Sequence, residues 1–316
     1  MSSLFRPWRL LLVLVLVLSG IGLAVSWAPD RTVDSLKPRW AQPPSQFISL
    51  QGMQVHLRDE GPRDDAEPIV LIHGTSSSLH TWDGWADALK GQRRVIRMDL
   101  PAFGLTGPNP EHHYSQDVYV AFVKDVMDAL KVPKAIVAGN SLGGEIAWML
   151  AVRHPERVTR LVLVDAGGYL IPPDGMPIAF KMAQYPVLKP MVGNTLPRGM
   201  VESSVRSVYG KAERVSPALI DRYYELSLRE GNRLALFDRF RDASRGRYAD
   251  EIKQVKQPTL ILWGMQDRLI PPEHGQRLKA DIQGSQMVTF EDLGHVPQEE
   301  DPARTVAAFK TFISTP

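Results

Sequence analysis

The segment Gly139-Asn140-Ser141-Leu142-Gly143-Gly144 sets a serine between glycines two residues before it and two after it. That spacing fits a nucleophile elbow, a sharp turn between strand and helix that lifts a seryl hydroxyl clear of a sheet while small neighbours let backbone approach closely. A helix starting behind the serine points free backbone N–H groups at negative charge developing on a substrate. A hydroxyl is a weak nucleophile until a base takes its proton, so the arrangement demands a histidine and a carboxylate to orient it. Both follow in the required order. Asp267 lies in the turn Gly264-Met265-Gln266-Asp267, closed by Ile270 and Pro271, and His295 ends the turn Asp292-Leu293-Gly294-His295. The expectation is Ser141 as nucleophile, His295 as base and Asp267 as orienting acid; a Ser141 that only capped a helix would need none of these partners. Asp165 competes for the acid's role because it too follows an apolar run, but the order serine, acid, histidine and the turn around Asp267 favour Asp267.

Acyl chemistry at a carbonyl also needs donors placed where the oxyanion forms. The backbone N–H of Leu142, directly after the serine, is one expected donor, and that of Thr75, in the loop after the run ending at His73, is the second. His73 itself reads as a structural histidine with its hydrogen bonds satisfied, and His112, His113, His154 and His274 sit in loop or polar helix contexts. No pair among them has metal-ligand spacing with a suitable carboxylate, so neither a metal nor a cofactor is expected.

The catalytic candidates must be held by regular elements, and the apolar runs supply them. Gln46 to Leu50 and Met53 to Arg58 read as two short strands around Gln51 and Gly52, and Ile69 to Ile72, Arg94 to Met98, Ala135 to Ala138 and Val158 to Val164 as further strands. Helical patterns over Trp82 to Leu89, Gln116 to Leu130 and Ile146 to Val152 alternate with them. After Gly168 the alternation stops until about Asp250, a stretch with helical character, seven prolines and no convincing buried strand. It resumes with Thr259 to Trp263, a helix at Glu273 to Ala280, Met287 to Phe290 and a helix from Pro302 to Ile313. This order implies an α/β fold: a mostly parallel central sheet with helices on both faces and an inserted helical cap at about 168–250. Ser141, Asp267 and His295 each then follow the end of a strand, the edge where catalytic groups of such sheets gather.

The chain of 316 residues carries a net charge of +2, 44% hydrophobic and 23% charged residues, and no cysteine. Nothing in that balance indicates disorder, and no basic run tracks a phosphate backbone, so nucleic acid is not an expected partner. The absence of cysteine excludes disulfides and a thiol nucleophile. Arg6 and Arg9 precede the apolar run Leu10 to Leu18, which continues through Ser19, Gly20 and Gly22 to Val25, and residues 1–28 are therefore read as a signal sequence or a membrane anchor, with Ser26 suiting a cleavage site. The arginines imply a domain exported to the periplasmic side of an inner membrane, anchored there or released if the segment is cleaved. Residues 29–45, rich in proline, read as an extended linker, and 46–316 as the folded domain.

Taken together, His73-Gly74-Thr75, Asp99-Leu100-Pro101-Ala102-Phe103-Gly104, the elbow at Ser141, Gly264 to Pro271 and Gly294-His295-Val296-Pro297 resemble the α/β-hydrolase superfamily over Gln46 to Ile313. Ala102 departs from the glycine the family often has there. The serine argues against the haloalkane dehalogenases and epoxide hydrolases, which resemble the chain but use an aspartate nucleophile. The resemblance implies, first, a serine hydrolase cleaving a carboxylic ester of a small or lipid-like substrate through an acyl-enzyme. The second expectation is a hydrolase of carbon–carbon bonds in aromatic ring-fission products, to which the elbow and Trp263 are similar; those enzymes often place an aromatic residue where Val296 stands. Acyl transfer and a noncatalytic interaction module on the same fold are the remaining alternatives. Phe180, Met182, Tyr185 and Met191 of the cap are candidates to line an apolar acyl pocket.

Overall fold

In the computed structural model, which describes residues 7–171, 185, 187, 189 and 193–314, the apolar runs become the eight strands of one sheet. They are β1 (Gln46–Leu50), β2 (Met53–Glu60), β3 (Ile69–Ile72), β4 (Val95–Met98), β5 (Ala135–Asn140), β6 (Val158–Val164), β7 (Thr259–Gly264) and β8 (Gln286–Phe290). Their spatial order is β1-β2-β4-β3-β5-β6-β7-β8. Only β1 with β2 and β2 with β4 pair antiparallel; the pairs from β4 through β8 are parallel. The hairpin at one edge is what the Gln51-Gly52 turn produces, both residues having positive φ.

The central strands are apolar throughout because both faces are covered, and successive side chains feed different cores. Val70, Ile72, Val137 and Leu163 join one cluster with the helices Gln116–Ala129, Leu142–Arg153 and Pro272–Asp281. Ile69, Leu71, Ile136 and Val162 join the other, beneath Asp83–Leu89 and Pro302–Ser314. Between β6 and β7 the insertion holds the helices Arg198–Val208, Pro217–Ser227 and Asn232–Arg241. Of the residues expected to line an acyl pocket, Phe180, Met182 and Met191 lie outside the described residues, and Tyr185 is 62% exposed.

One expectation about the N-terminal region changes. Within 29–45 the helix Val33–Trp40 forms despite Pro38, started by Thr32, whose side chain accepts from the Ser35 N–H. Its Leu36 packs with Leu105 of the body and Leu226 of the cap, so burial outweighs the extended preference of the prolines. Residues 26–31 are stitched to the cap as well: Ala28 N–H donates to Asn194 O at 3.0 Å and Arg31 N–H to Leu228 O at 2.7 Å. Pro7–Ser26 is helical, and Leu10 through Leu18 are exposed on it. Among the described residues no helix is long and apolar enough to cross a membrane.

Candidate active site

The elbow begins where β5 delivers Asn140 and the helix Leu142–Arg153 starts at once behind Ser141. No ordinary turn makes that reversal, and Ser141 adopts φ 56°, ψ −117°, a conformation that costs free energy and persists only where surroundings enforce it. They do so through backbone: Ser141 N–H donates to Val164 O at 3.1 Å, and Gly167 N–H donates to Ser141 O at 2.9 Å. The glycines are steric requirements. A Cβ on Gly139 would stand 2.1 Å from Gly143 O, and one on Gly143 2.2 Å from Ile72 O. Among the described residues the N–H groups of Thr75 and Leu142 donate no hydrogen bond, and both residues line the cavity that Ser141 enters.

Asp267 and His295 come together as the order along the chain implied. His295 Nδ1 lies 2.7 Å from Asp267 Oδ2, and both residues are buried. The other carboxylate oxygen, Oδ1, accepts the N–H groups of Leu269 at 2.8 Å and Ile270 at 3.0 Å, so the carboxylate is fixed in one orientation. Ser141 and His295 line one cavity of about 290 Å³, yet no hydrogen bond joins them among those formed by the described residues. Bonds of this kind often tighten only with substrate in place. Asp165, the competing acid, is also here: it, Asp267 and His295 offer ligand-type atoms all within 4.8 Å of one another. The 2.7 Å separation of Nδ1 and Oδ2 is that of a hydrogen bond, closer than two ligands at 2.0–2.2 Å around one zinc ion stand from each other. His73 fills the structural role: its Nδ1 lies 2.7 Å from Gly74 O, its Nε2 accepts from Leu100 N–H at 2.9 Å, and burial holds its pKa below the ordinary histidine value.

Three supports escape a reading of motifs. Asn140 Nδ2 donates to Val164 O at 3.1 Å and to His295 O at 2.9 Å, tying the elbow to the histidine loop. Glu300 accepts the N–H groups of Gly294, Gly210 and Lys211, each at 2.9 Å, and so pins that loop to the cap. Arg239, from the cap helix Asn232–Arg241, lines the same cavity as Ser141. It is 5% exposed, its Nε and Nη1 have no hydrogen-bond partner, and no carboxylate among the described residues pairs with it. Each support links segments distant in sequence, and no local spacing signals them.

The family model described as the alpha/beta hydrolase fold matches residues 67–302. A 2-hydroxy-6-oxo-2,4-heptadienoate hydrolase of Pseudomonas putida is 30% identical over 280 residues, 85% of this chain and 96% of the relative. The crystal structure of a meta-cleavage product hydrolase from Pseudomonas fluorescens superposes with a TM-score of 0.73 at 27% identity, covering 85% of this chain and 97% of that one. A membrane phospholipase A structure, at 24% identity and a TM-score of 0.71, covers 97% of this chain and 98% of its own, a likeness of fold that takes in the N-terminal elements. The heptadienoate and meta-cleavage relatives overturn the expectation of a carboxylic-ester hydrolase in favour of the carbon–carbon alternative. The motifs could not separate the two, because both reactions pass through a tetrahedral adduct at a carbonyl and differ in the leaving group, which the cap and cavity receive. A strand-borne elbow, an acid and a histidine on successive strand ends, and a match over residues 67–302 lead to one conclusion: the chain belongs to the α/β-hydrolase fold family.

Proposed function

We propose that this hydrolase cleaves a carbon–carbon bond beside a keto group in a carboxylated ring-fission product of the 2-hydroxy-6-oxo-dienoate kind. The observation that carries the reading, beside the relatives, is Arg239: a buried guanidinium without a carboxylate partner, in the cavity that Ser141 and His295 line. An uncompensated buried charge costs several kcal/mol, and a ligand carboxylate seated on it removes most of that cost. A neutral ester leaves the cost standing.

In such a substrate the 2-hydroxy group gives up its proton as carbon 5 gains one, leaving a 2-oxo group and a methylene beside the 6-keto carbon. His295 takes the Ser141 proton as Oγ bonds to that keto carbon, with Asp267 holding the imidazole tautomer and the amides of Thr75 and Leu142 receiving the oxyanion. Collapse of the adduct breaks the bond between carbons 5 and 6. The electron pair is spread onto the 2-oxo group as a dienolate, which takes the proton from His295. Water, deprotonated by the same imidazole, then releases the acyl group from Ser141.

The test is turnover of 2-hydroxy-6-oxo-2,4-heptadienoate, followed by loss of the dienol absorbance and identification of both acids formed. Arg239→Gln is expected to raise KM on the order of 100-fold with a smaller effect on kcat. No turnover by an enzyme whose Ser141 still reacts with a fluorophosphonate would sink the carbon–carbon reading, and an unchanged KM in the variant would remove Arg239 from it.

A further inference from the structure

Asp165 closes β6, fully buried, with its backbone at φ 42°. A non-glycine residue in the left-handed region is held there at a cost, and what holds it is the sheet: Asp165 N–H donates to Leu262 O at 3.0 Å. The side chain is thereby aimed at the strand β7 and the loop beyond it. Oδ1 accepts the Gly264 N–H at 3.0 Å. Oδ2 has no hydrogen-bond partner, although Asp267 lies within 4.8 Å, along with His295. An acceptor oxygen buried without a donor is costly, and two buried carboxylates side by side cannot both be ionised. A single proton on Oδ2 resolves both problems, because it turns an orphaned acceptor into a donor facing a carboxylate.

The two aspartates are unequal in a way that decides which of them carries it. Asp267 accepts two backbone N–H groups and faces His295 Nδ1, all of which favour its ionised form. Asp165 accepts one N–H, and the imidazole within 4.8 Å of it turns its Nδ1 to Asp267 instead. Burial, then the charge of Asp267 and that of Glu300, push the Asp165 carboxyl well above the usual carboxylate range. Glu300 is itself occupied by three N–H groups and by Arg214 at 3.3 Å.

We infer that Asp165 is a neutral carboxylic acid that donates a hydrogen bond to the Asp267 carboxylate and, by drawing charge away from it, sets the basicity of His295. Asp165 is a positioning residue in this arrangement. It does not line the cavity that Ser141 enters, and the acid it supports is the one that orients the base. The inference rests on the proposed roles of Ser141, His295 and Asp267 and is independent of which bond the enzyme cleaves. A donor to Asp267 lowers the negative charge that stabilises the imidazolium, so its removal moves the acid limb of the reaction to higher pH.

The test uses the rate at which a fluorophosphonate labels Ser141, measured from pH 5 to pH 9, since that rate follows His295 and needs no natural substrate. Asp165→Asn keeps an acceptor for Gly264 and a donor for Asp267 on a residue type that tolerates positive φ; its acid limb is expected to match the parent, with rates within about threefold. Asp165→Gly relieves the backbone and removes the donor; its limb is expected to move up by about one pH unit, an approximately tenfold loss of rate on the acid side and little change at pH 9. The parent is also expected to show the infrared carbonyl stretch of a protonated carboxylic acid that both variants lack. An Asp165→Asn enzyme as slow as Asp267→Asn would mean that Asp165 is ionised and overturn the inference, as would two variants with the parent's pH profile. If labelling behaves as expected while 2-hydroxy-6-oxo-2,4-heptadienoate is not cleaved, the proposed function fails and this inference stands.

Discussion

Among the described residues the fold holds two sets of serine, histidine and aspartate, and the set with the more complete hydrogen bonding does not line the cavity that Ser141 enters. In the first, His56 Nδ1 lies 2.7 Å from Asp99 Oδ2 and His56 Nε2 lies 2.9 Å from Ser45 Oγ, a full chain of contacts. In the second, His295 Nδ1 stands at the same 2.7 Å from Asp267 Oδ2, while Ser141 makes no bond to the imidazole. What separates them is everything around the three residues. Ser141 sits at positive φ on an elbow, beside the free N–H groups of Thr75 and Leu142, at the wall of a cavity. Ser45 has no positive φ, accepts a hydrogen bond from Arg58 Nε at 3.0 Å, and precedes an edge strand. His56 is buried under Phe47, their rings stacked at 5.1 Å. A relay with a fully buried imidazole and no oxyanion site is a fastener. It ties the segment before β1 to β2 and to the loop after β4.

The comparison is sharpest where the same change is made in each set. Ser141→Ala is expected to abolish turnover and fluorophosphonate labelling, a loss on the order of 10⁴-fold or more, whereas Ser45→Ala leaves kcat within about twofold. A comparable loss in both would make the second set part of the chemistry. Next in size, Asp267→Asn leaves His295 without the acceptor that fixes its tautomer and is expected to lower kcat on the order of 10³–10⁴-fold with the fold intact, read by turnover beside a circular dichroism melt.

Asp99 should respond in stability instead of rate. Burial alone would raise its pKa, but the imidazoles of His56, His73 and His80 together hold it far below the carboxylate range, and its two oxygens also accept the N–H groups of Leu79 at 2.7 Å and Leu105 at 2.8 Å. A carboxylate whose folded pKa is depressed adds stability that is fully present above its unfolded pKa of about 3.9 and is lost as pH falls toward the folded value. Asp99→Asn is accordingly expected to cost about 2–4 kcal/mol in urea unfolding at pH 7, with kcat little changed at temperatures where the fold persists, and the gap to the parent narrows below about pH 4. A gap that widens on acidification would contradict the assignment of charge to Asp99.

How much of this was legible in the sequence follows from how local each signal is. Ser141, Asp267 and His295 are readable because an elbow and two strand-end turns announce themselves within a few residues, and β3 and β6 because a strand buried on both faces is an unbroken apolar run. The helix Val33–Trp40 was hidden by prolines that speak for extended chain, since its stabilisation comes from Leu36 against Leu105 and Leu226, contacts made by distant segments. Arg239 matters through the lack of a partner, and Asn140 and Glu300 through partners that include His295, 155 residues from Asn140, and Gly210 and Lys211 of the cap, and no spacing encodes that. Asp165 was visible as a strand-end acid competing with Asp267; that the two stand side by side in one site is a property of the sheet order β6-β7. The bond cleaved was not legible, because ester and carbon–carbon cleavage share their first adduct.

The smallest expected effect is the most specific to the fastener reading. Ser45→Ala removes one hydroxyl that serves His56 Nε2 and Arg58 Nε at once, so two partly buried polar groups lose a partner in a region with little else to offer them. The cost expected is about 1–2 kcal/mol, a fall in Tm of about 2–6 °C for a domain of this size, with labelling of Ser141 unchanged. If the segment around Ser45 fastens the cap through the helix Val33–Trp40 as well as β1 to the sheet, the same variant should speed proteolysis between Gln42 and Gln46 before it touches the melting of the sheet. Protection there equal to the parent's, with Tm also unchanged, would mean that Leu36 and the pairing of β1 hold the segment alone, and that the second relay resembles the first in composition only.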